Sequence, residues 1–154
     1  MPAARALRAA GFFVTDRNQV KEERDGLYCE AASLFFQARL VPALTPLVAM
    51  EIQPSYTWLF RYRPGAQLER HTDRPQCRWN LSLLVDDEAD TEDTRWPLFF
   101  EGAEGRRGVD LEMGDAVLYS GTDTPHWRER LVGDTGITLM LCHYVDQTFR
   151  GSLA

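Results

Sequence analysis

Along the chain the spacing of apolar residues changes near position 51, from a helical period to strict alternation. Pro2 to Ala10 is a short Ala/Arg segment of helical character. After Asp25-Gly26, the stretch LYCEAASLFFQARL sets Leu27, Ala31, Leu34, Phe35 and Leu40 close to a 3.6-residue spacing. That predicts a helix interrupted by Pro42, with a further turn or two over 44–50. Residues 1–50 are thus expected to be a mostly helical N-terminal segment.

From Glu51 the period is two. Tyr56, Trp58, Phe60 and Tyr62 alternate with Thr57, Leu59, Arg61 and Arg63, and Pro64-Gly65 makes a turn. Trp79, Leu81, Leu83 and Val85 form the apolar face of a second strand whose other face is Arg78, Asn80 and Ser82. Short strands follow over WPLFFEG, Val109–Glu112, AVLYS, HWRERLV and ITLMLCHYV, with loops at DDEADTEDT (86–94) and at 102–108. The last two are joined by Gly-Asp-Thr-Gly, a hairpin signal. About eight closely spaced strands behind a helical segment predict a mainly β fold with N-terminal helices, a sandwich or jelly roll with its core over 51–148.

Length and composition add a frame. With 154 residues and 44% hydrophobic content, the expectation is one domain spanning 1–154 with a sizeable core. A net charge of −6 disfavours binding to nucleic acid, whose phosphates need a basic face. Arg5 and Arg8 break the apolar N-terminus, so no signal peptide is expected, and no run reads as a membrane span. Cys29, Cys77 and Cys142 are odd in number and widely spaced, which suits buried reduced thiols and a cytoplasmic protein.

The chemistry concentrates in ERHTDRPQCRWN (69–80), where His71 and Asp73 lie two apart at a strand end. His126 opens the penultimate strand, fifty-odd residues further on. Two imidazoles and a carboxylate on one face of an octahedral ion leave three positions open, the arrangement used for non-haem Fe(II) and O₂ chemistry. His-x-Asp alone recurs by accident; the ordered context is the informative part.

That context, YRPGAQLERHTDRPQC, LEMGDAVLYSGTDTPHW and ITLMLCHYVD, resembles the 2-oxoglutarate- and Fe(II)-dependent dioxygenases, especially the small prolyl-4-hydroxylase-like members, over about residues 54–146. The resemblance implies a double-stranded β-helix, with His71, Asp73 and His126 as catalytic metal ligands. It also implies Fe(II) as cofactor, 2-oxoglutarate and O₂ as cosubstrates, and a hydroxylated small-molecule or peptide substrate. Asp73 matches hydroxylating members; halogenating relatives carry a small residue there.

One departure matters. Such relatives place an Arg or Lys at the start of the last strand to pair with the distal carboxylate of 2-oxoglutarate, and GDTGITLMLCHY has none. If His126 faces the pocket, period two puts Arg128 and Arg130 on the same face, and Arg128 is the first choice for that role. Arg78 is the second choice, Asn80 shares its face, and Tyr62 could donate its hydroxyl to the cosubstrate. Tyr119 is a weaker candidate of the same kind. Arg74, Trp96 and Trp127 read as rim or packing residues, and His143 as a core histidine. The acidic run 86–94 reads as a solvated connection, with a lid or a dock for a cationic substrate as the other reading. A catalytically inactive jelly-roll metal- or ligand-binding protein is the alternative function, supported by the missing base. A cupin-type metal enzyme is disfavoured by the absence of His-x-His.

Overall fold

The computed structural model describes residues 2–16, 24–88 and 96–153. Among these, helix α1 (Pro2–Ala9) is followed by strands β1 (Val14–Asp16) and β2 (Arg24–Tyr28), helix α2 (Ala31–Val48) and strand β3 (Ile52–Tyr62). Then come β4 (Leu68–His71), a 3₁₀ turn (Pro75–Cys77), β5 (Trp79–Asp87), β6 (Leu98–Gly102) and β7 (Gly105–Val109). The chain closes with β8 (Ala116–Ser120), β9 (His126–Arg128) and β10 (Ile137–Asp146). A six-stranded sheet runs β1-β2-β3-β10-β5-β8 and a four-stranded sheet β4-β9-β6-β7, all pairs antiparallel: a jelly roll, as expected.

The N-terminal third is less helical than its spacing predicts. Residues 24–28 pair with β3, placing Arg24 opposite Tyr62 and Gly26 opposite Phe60. Gly26 fits there because a Cβ would run into the Phe60 ring. Helix α2 begins only after Glu30, whose carboxylate accepts from the amides of Ala32 and Ser33 at 2.9 Å each. Pro42 does not interrupt it. Pro42, Pro46 and Ala38 all lie on the exposed face, so carbonyls freed by the prolines reach water. With mean hydropathy 1.3 over 18 residues, α2 is also long and apolar enough to cross a membrane, contrary to expectation; here it lies against β3 and β10.

Further along, 102–108 is not a loop: Gly105–Val109 returns as an edge strand on β6. Residues 110–112 are not strand, and β9 ends at Arg128, leaving Arg130 exposed. Of the acidic run, 89–94 lies outside the described residues. Cys77 and Cys142 are buried thiols; Cys29 is only half-buried.

Strand β10 explains why its sequence is apolar on both faces. Met140, Cys142 and Tyr144 join Leu59, Leu81 and Val85 in a core beneath the helices, whereas Ile137 and Leu139 pack with Phe60, Tyr62 and Leu84 between the sheets. A bulge between Cys142 and Tyr144 takes His143 out of the β3 ladder. Gln37 of α2 donates to the carbonyls of His143 (2.6 Å) and Tyr56 (3.0 Å), meeting acceptors that the bulge strands.

An ion pair fixes the start of β10. Arg61 makes two 2.7 Å bonds to the Glu88 carboxylate, which also accepts from the Gly136 amide at 3.1 Å. The Arg61 bonds hold the Glu88 carboxyl down at about 2, against an ordinary 4.5. A depressed carboxyl contributes stability that is complete above its unfolded value and is lost as the pH falls through the folded one. Glu88→Gln should therefore lower stability at pH 7 by about 1–3 kcal/mol. Denaturant titrations should show the gap to wild type closing between pH 4.5 and 2.

Candidate metal centre

The two sheets enclose a cavity of about 470 Å³, and the residues around it come from both. Strand β4 delivers His71 directly opposite His126 of β9, with ring centroids 4.4 Å apart. Asp73 lies two residues past His71, its amide donating to the Gly121 carbonyl at 2.9 Å. The Nδ1 of His71 lies 2.7 Å from the Glu69 carbonyl, and that of His126 lies 2.9 Å from the Thr124 carbonyl. A carbonyl can only accept, so both Nδ1 atoms carry the proton and both Nε2 lone pairs face the cavity.

Those Nε2 atoms converge on Asp73, at 3.4 Å from Oδ1 (His71) and 3.5 Å from Oδ2 (His126). One donor atom from each residue lies within 4.8 Å of the other two. Donors held about 2.1 Å from one ion on a facial set stand roughly 3 Å apart, so this trio fits a divalent metal. Burial raises the Asp73 carboxyl, but the bond to His71 and the charges of His126, His71 and His143 more than offset this and hold it low. Burial lowers His126, which favours its neutral imidazole, whereas burial of His71 is outweighed by its bond to Asp73, which raises it while no ion is bound.

Asn80 lines the cavity and has a role that the alternation did not predict. Its Nδ2 donates to Asp73 Oδ2, and its Oδ1 accepts from His143 Nδ1 at 2.6 Å. His143 is buried, and burial pushes it down to about 4, so it is a neutral donor. The amide therefore orients the carboxylate, and His143 orients the amide. A core histidine it remains, but one facing the metal site. Gly121 permits the arrangement, because a Cβ there would collide with Asn80 Nδ2, the Cys77 carbonyl and Asp73 Oδ2. Gly121→Ala should weaken metal binding about 10–100-fold, the usual range for disturbed outer-shell partners, in a metal-indicator competition assay.

Arg128 lines the same cavity and is buried at 4% exposure. One Nη donates to the Trp96 carbonyl, and the guanidinium lies 4.7 Å over the Trp96 ring. Its Nη2 is buried with no hydrogen-bond partner among the described residues. Burial lowers the group to about 10, leaving it charged at neutral pH. Tyr62 stands on the same end of the cavity, fully buried, its hydroxyl accepting from Arg24 at 3.4 Å.

Arg78 does not belong to the site. It caps the 3₁₀ turn instead of extending the polar face of β5, and its guanidinium binds Ser120 (3.2 Å), Thr122 (2.8 Å) and Asp123 on the outside. Of the weaker candidates, Tyr119 packs edge-on to His126 (4.8 Å), Trp96 supports Arg128, and Trp127 stacks on Phe99 outside the cavity. Arg24 was not anticipated. It is buried against the Phe60 ring at 3.8 Å and lines the cavity beside Tyr62. Its signal was the alternation Arg24, Gly26, Tyr28, hidden by the helical spacing that follows.

No protein-family model matches the chain, and no curated protein matches it in sequence. Solved structures do match in fold. A Pseudomonas putida prolyl-4-hydroxylase superposes with a TM-score of 0.67 at 16% identity, over 94% of this chain and 83% of that one. SnoN, a non-haem α-ketoglutarate-dependent epimerase of nogalamycin biosynthesis, gives 0.75 at 15% identity, over 96% and 71%. HygX from Streptomyces hygroscopicus, with nickel and 2-oxoglutarate bound, gives 0.69 at 13% identity, over 96% and 78%. A predicted oxalate decarboxylase from Thermotoga maritima also matches, with a TM-score of 0.51 at 10% identity over 87% of this chain and 90% of that one, and at these identities the shared feature is the fold.

Proposed function

We propose that this protein is an Fe(II)- and 2-oxoglutarate-dependent oxygenase of the hydroxylase type, acting on a small molecule. The carrying observation is one cavity in which the His71–Asp73–His126 trio shares its walls with Arg128, whose Nη2 lacks a partner among the described residues. The lack of a base on the closing strand favoured an inactive binding protein; in this reading Arg128 supplies that base from β9. The names and bound ligands of the structural neighbours, nickel with 2-oxoglutarate among them, support the same choice.

In this reading, bound iron with 2-oxoglutarate and O₂ would supply the oxidising power, with succinate and CO₂ as coproducts. The chain's own residues would do the rest. His71, Asp73 and His126 would hold the metal. Arg128 meets the distal carboxylate of the cosubstrate, with the Tyr62 hydroxyl beside it. Leu98, Leu139 and Leu141 make the adjoining wall apolar and limit water around the centre. Slow, substrate-independent conversion of 2-oxoglutarate to succinate is expected on adding Fe(II) and ascorbate. Absence of succinate from protein shown to hold the metal would count against the reading.

A further inference from the structure

The cavity has two chemically distinct ends. Tyr56, Trp58, Phe60 and Tyr62 project from β3 as a row of rings along it, because every second residue of a strand shares a face. Arg128 and Trp96 stand at the Tyr62 end. At the Tyr56 end stands Arg74, directly after the metal-facing Asp73. Its Cζ lies 4.7 Å over the Tyr56 ring and its Nε donates to the Tyr56 hydroxyl at 3.0 Å. Tyr28, 41% exposed and not itself a cavity residue, braces this end by packing on Trp58 at 4.8 Å and on Tyr56 at 5.7 Å.

The charge inventory is lopsided. The whole chain carries −6, yet the charged residues described around the cavity are Arg24, Arg74, Arg128 and one acid, Asp73, whose carboxylate faces the metal position. No carboxylate among the described residues pairs with Arg74. At the start of the acidic run, Asp86 and Glu88 are turned to Arg5 and Arg61 and, like Asp87, do not line the cavity. Among the described residues a cationic substrate thus finds Asp73 alone as counter-charge, and a cosubstrate reaching from the metal to Arg128 would leave the Arg74 end to the substrate.

Resting on the proposed oxygenase function, we infer that the primary substrate is a small carboxylate with a flat apolar body, its anion on Arg74 and its body against the rings of Tyr56 and Trp58. A planar guanidinium already held by ring stacking, the Tyr56 hydroxyl and the Cys77 thiol is pre-oriented to offer its remaining N–H groups to a carboxylate. The rings supply apolar area with little conformational freedom to lose. Size restricts the choice. At about 470 Å³ the cavity is near the small end of the roughly 300–1,000 Å³ usual for ligand sites, and it must hold the cosubstrate too.

The test uses the full chain loaded with Ni(II) and saturating 2-oxoglutarate, so that nothing turns over, with occupancy of both verified for each variant. Equilibrium dialysis compares 3-phenylpropionate with its amide and with 3-phenylpropylamine. The carboxylate should bind wild type at least tenfold more tightly than the amide, with the amine weakest. Arg74→Met should bring carboxylate and amide to parity. Arg74→Lys, which keeps the charge and loses the fork, should fall between, and it serves as the measure if the Met variant does not fold. An amide or amine that binds wild type as well as the carboxylate overturns the inference, as does a preference that survives Arg74→Met. Displacement of the carboxylate by rising 2-oxoglutarate places its anion on Arg128 and also overturns it. Failure of 2-oxoglutarate to bind the nickel-loaded protein would instead refute the oxygenase reading, while the carboxylate preference is still read separately.

Discussion

His71→Ala and His126→Ala should each abolish stoichiometric Fe(II) binding and, with it, succinate formation. Disturbing only the outer partners of a metal ligand typically costs about 10–100-fold in affinity, so removing a ligand should cost more than roughly 100-fold. Both imidazoles present Nε2 to the same carboxylate, and neither has a neighbouring histidine to take over: His143 is engaged with Asn80. The fold should survive, because the cores beneath the helices and between the sheets do not include either ring. Circular dichroism close to wild type, metal near zero by elemental analysis and no succinate are the expected set. Retained metal in both variants would remove these residues from the centre.

Arg128→Ala should weaken 2-oxoglutarate binding by roughly 30-fold or more while leaving metal affinity nearly intact. Truncating one member of a dehydrated charge pair costs about 2–5 kcal/mol, and each 1.4 kcal/mol is tenfold. Arg128 is buried, has an Nη2 without a partner among the described residues and opens onto the cavity that holds the metal ligands. Arg128 bonds the Trp96 carbonyl and stacks on its ring, so Arg128→Lys keeps the charge but loses the fork and should recover only part of the affinity. Arg78→Ala is the control and should leave 2-oxoglutarate binding unchanged, since its guanidinium is tied to Ser120, Thr122 and Asp123. A larger loss in Arg78→Ala than in Arg128→Ala would reverse this assignment.

The sequence was legible where a local rule determined the outcome. Period two on a short strand was enough to place Arg128 on the face of His126, and the polar face of β5 could only be solvent or a lined pocket. What the local pattern lacked was the identity of the facing strand. Asn80 lies opposite His143 across β5 and β10, and that pairing makes it a support for Asp73. Arg78 left the β5 face because the chain was still turning through Pro75–Cys77. Strand β2 was hidden because Arg-Asp-Gly reads as a turn; the Phe60 ring across the ladder, a tertiary neighbour, is what fits the glycine into a strand. Edge strand β7 has mostly exposed side chains and so carries no apolar alternation to find. The prolines of α2 were misleading for a similar reason, their tolerance depending on which face meets water.

The central claim, that one cavity binds a metal through His71, Asp73 and His126 and a 2-oxoglutarate through Arg128, is tested most directly by anaerobic titration. Fe(II)-loaded protein should develop a weak visible charge-transfer band on adding 2-oxoglutarate, saturating at one equivalent. The band should be absent in His126→Ala and should need at least 30-fold more 2-oxoglutarate in Arg128→Ala. No band in wild type with iron bound, or the same saturation curve in Arg128→Ala, would contradict it.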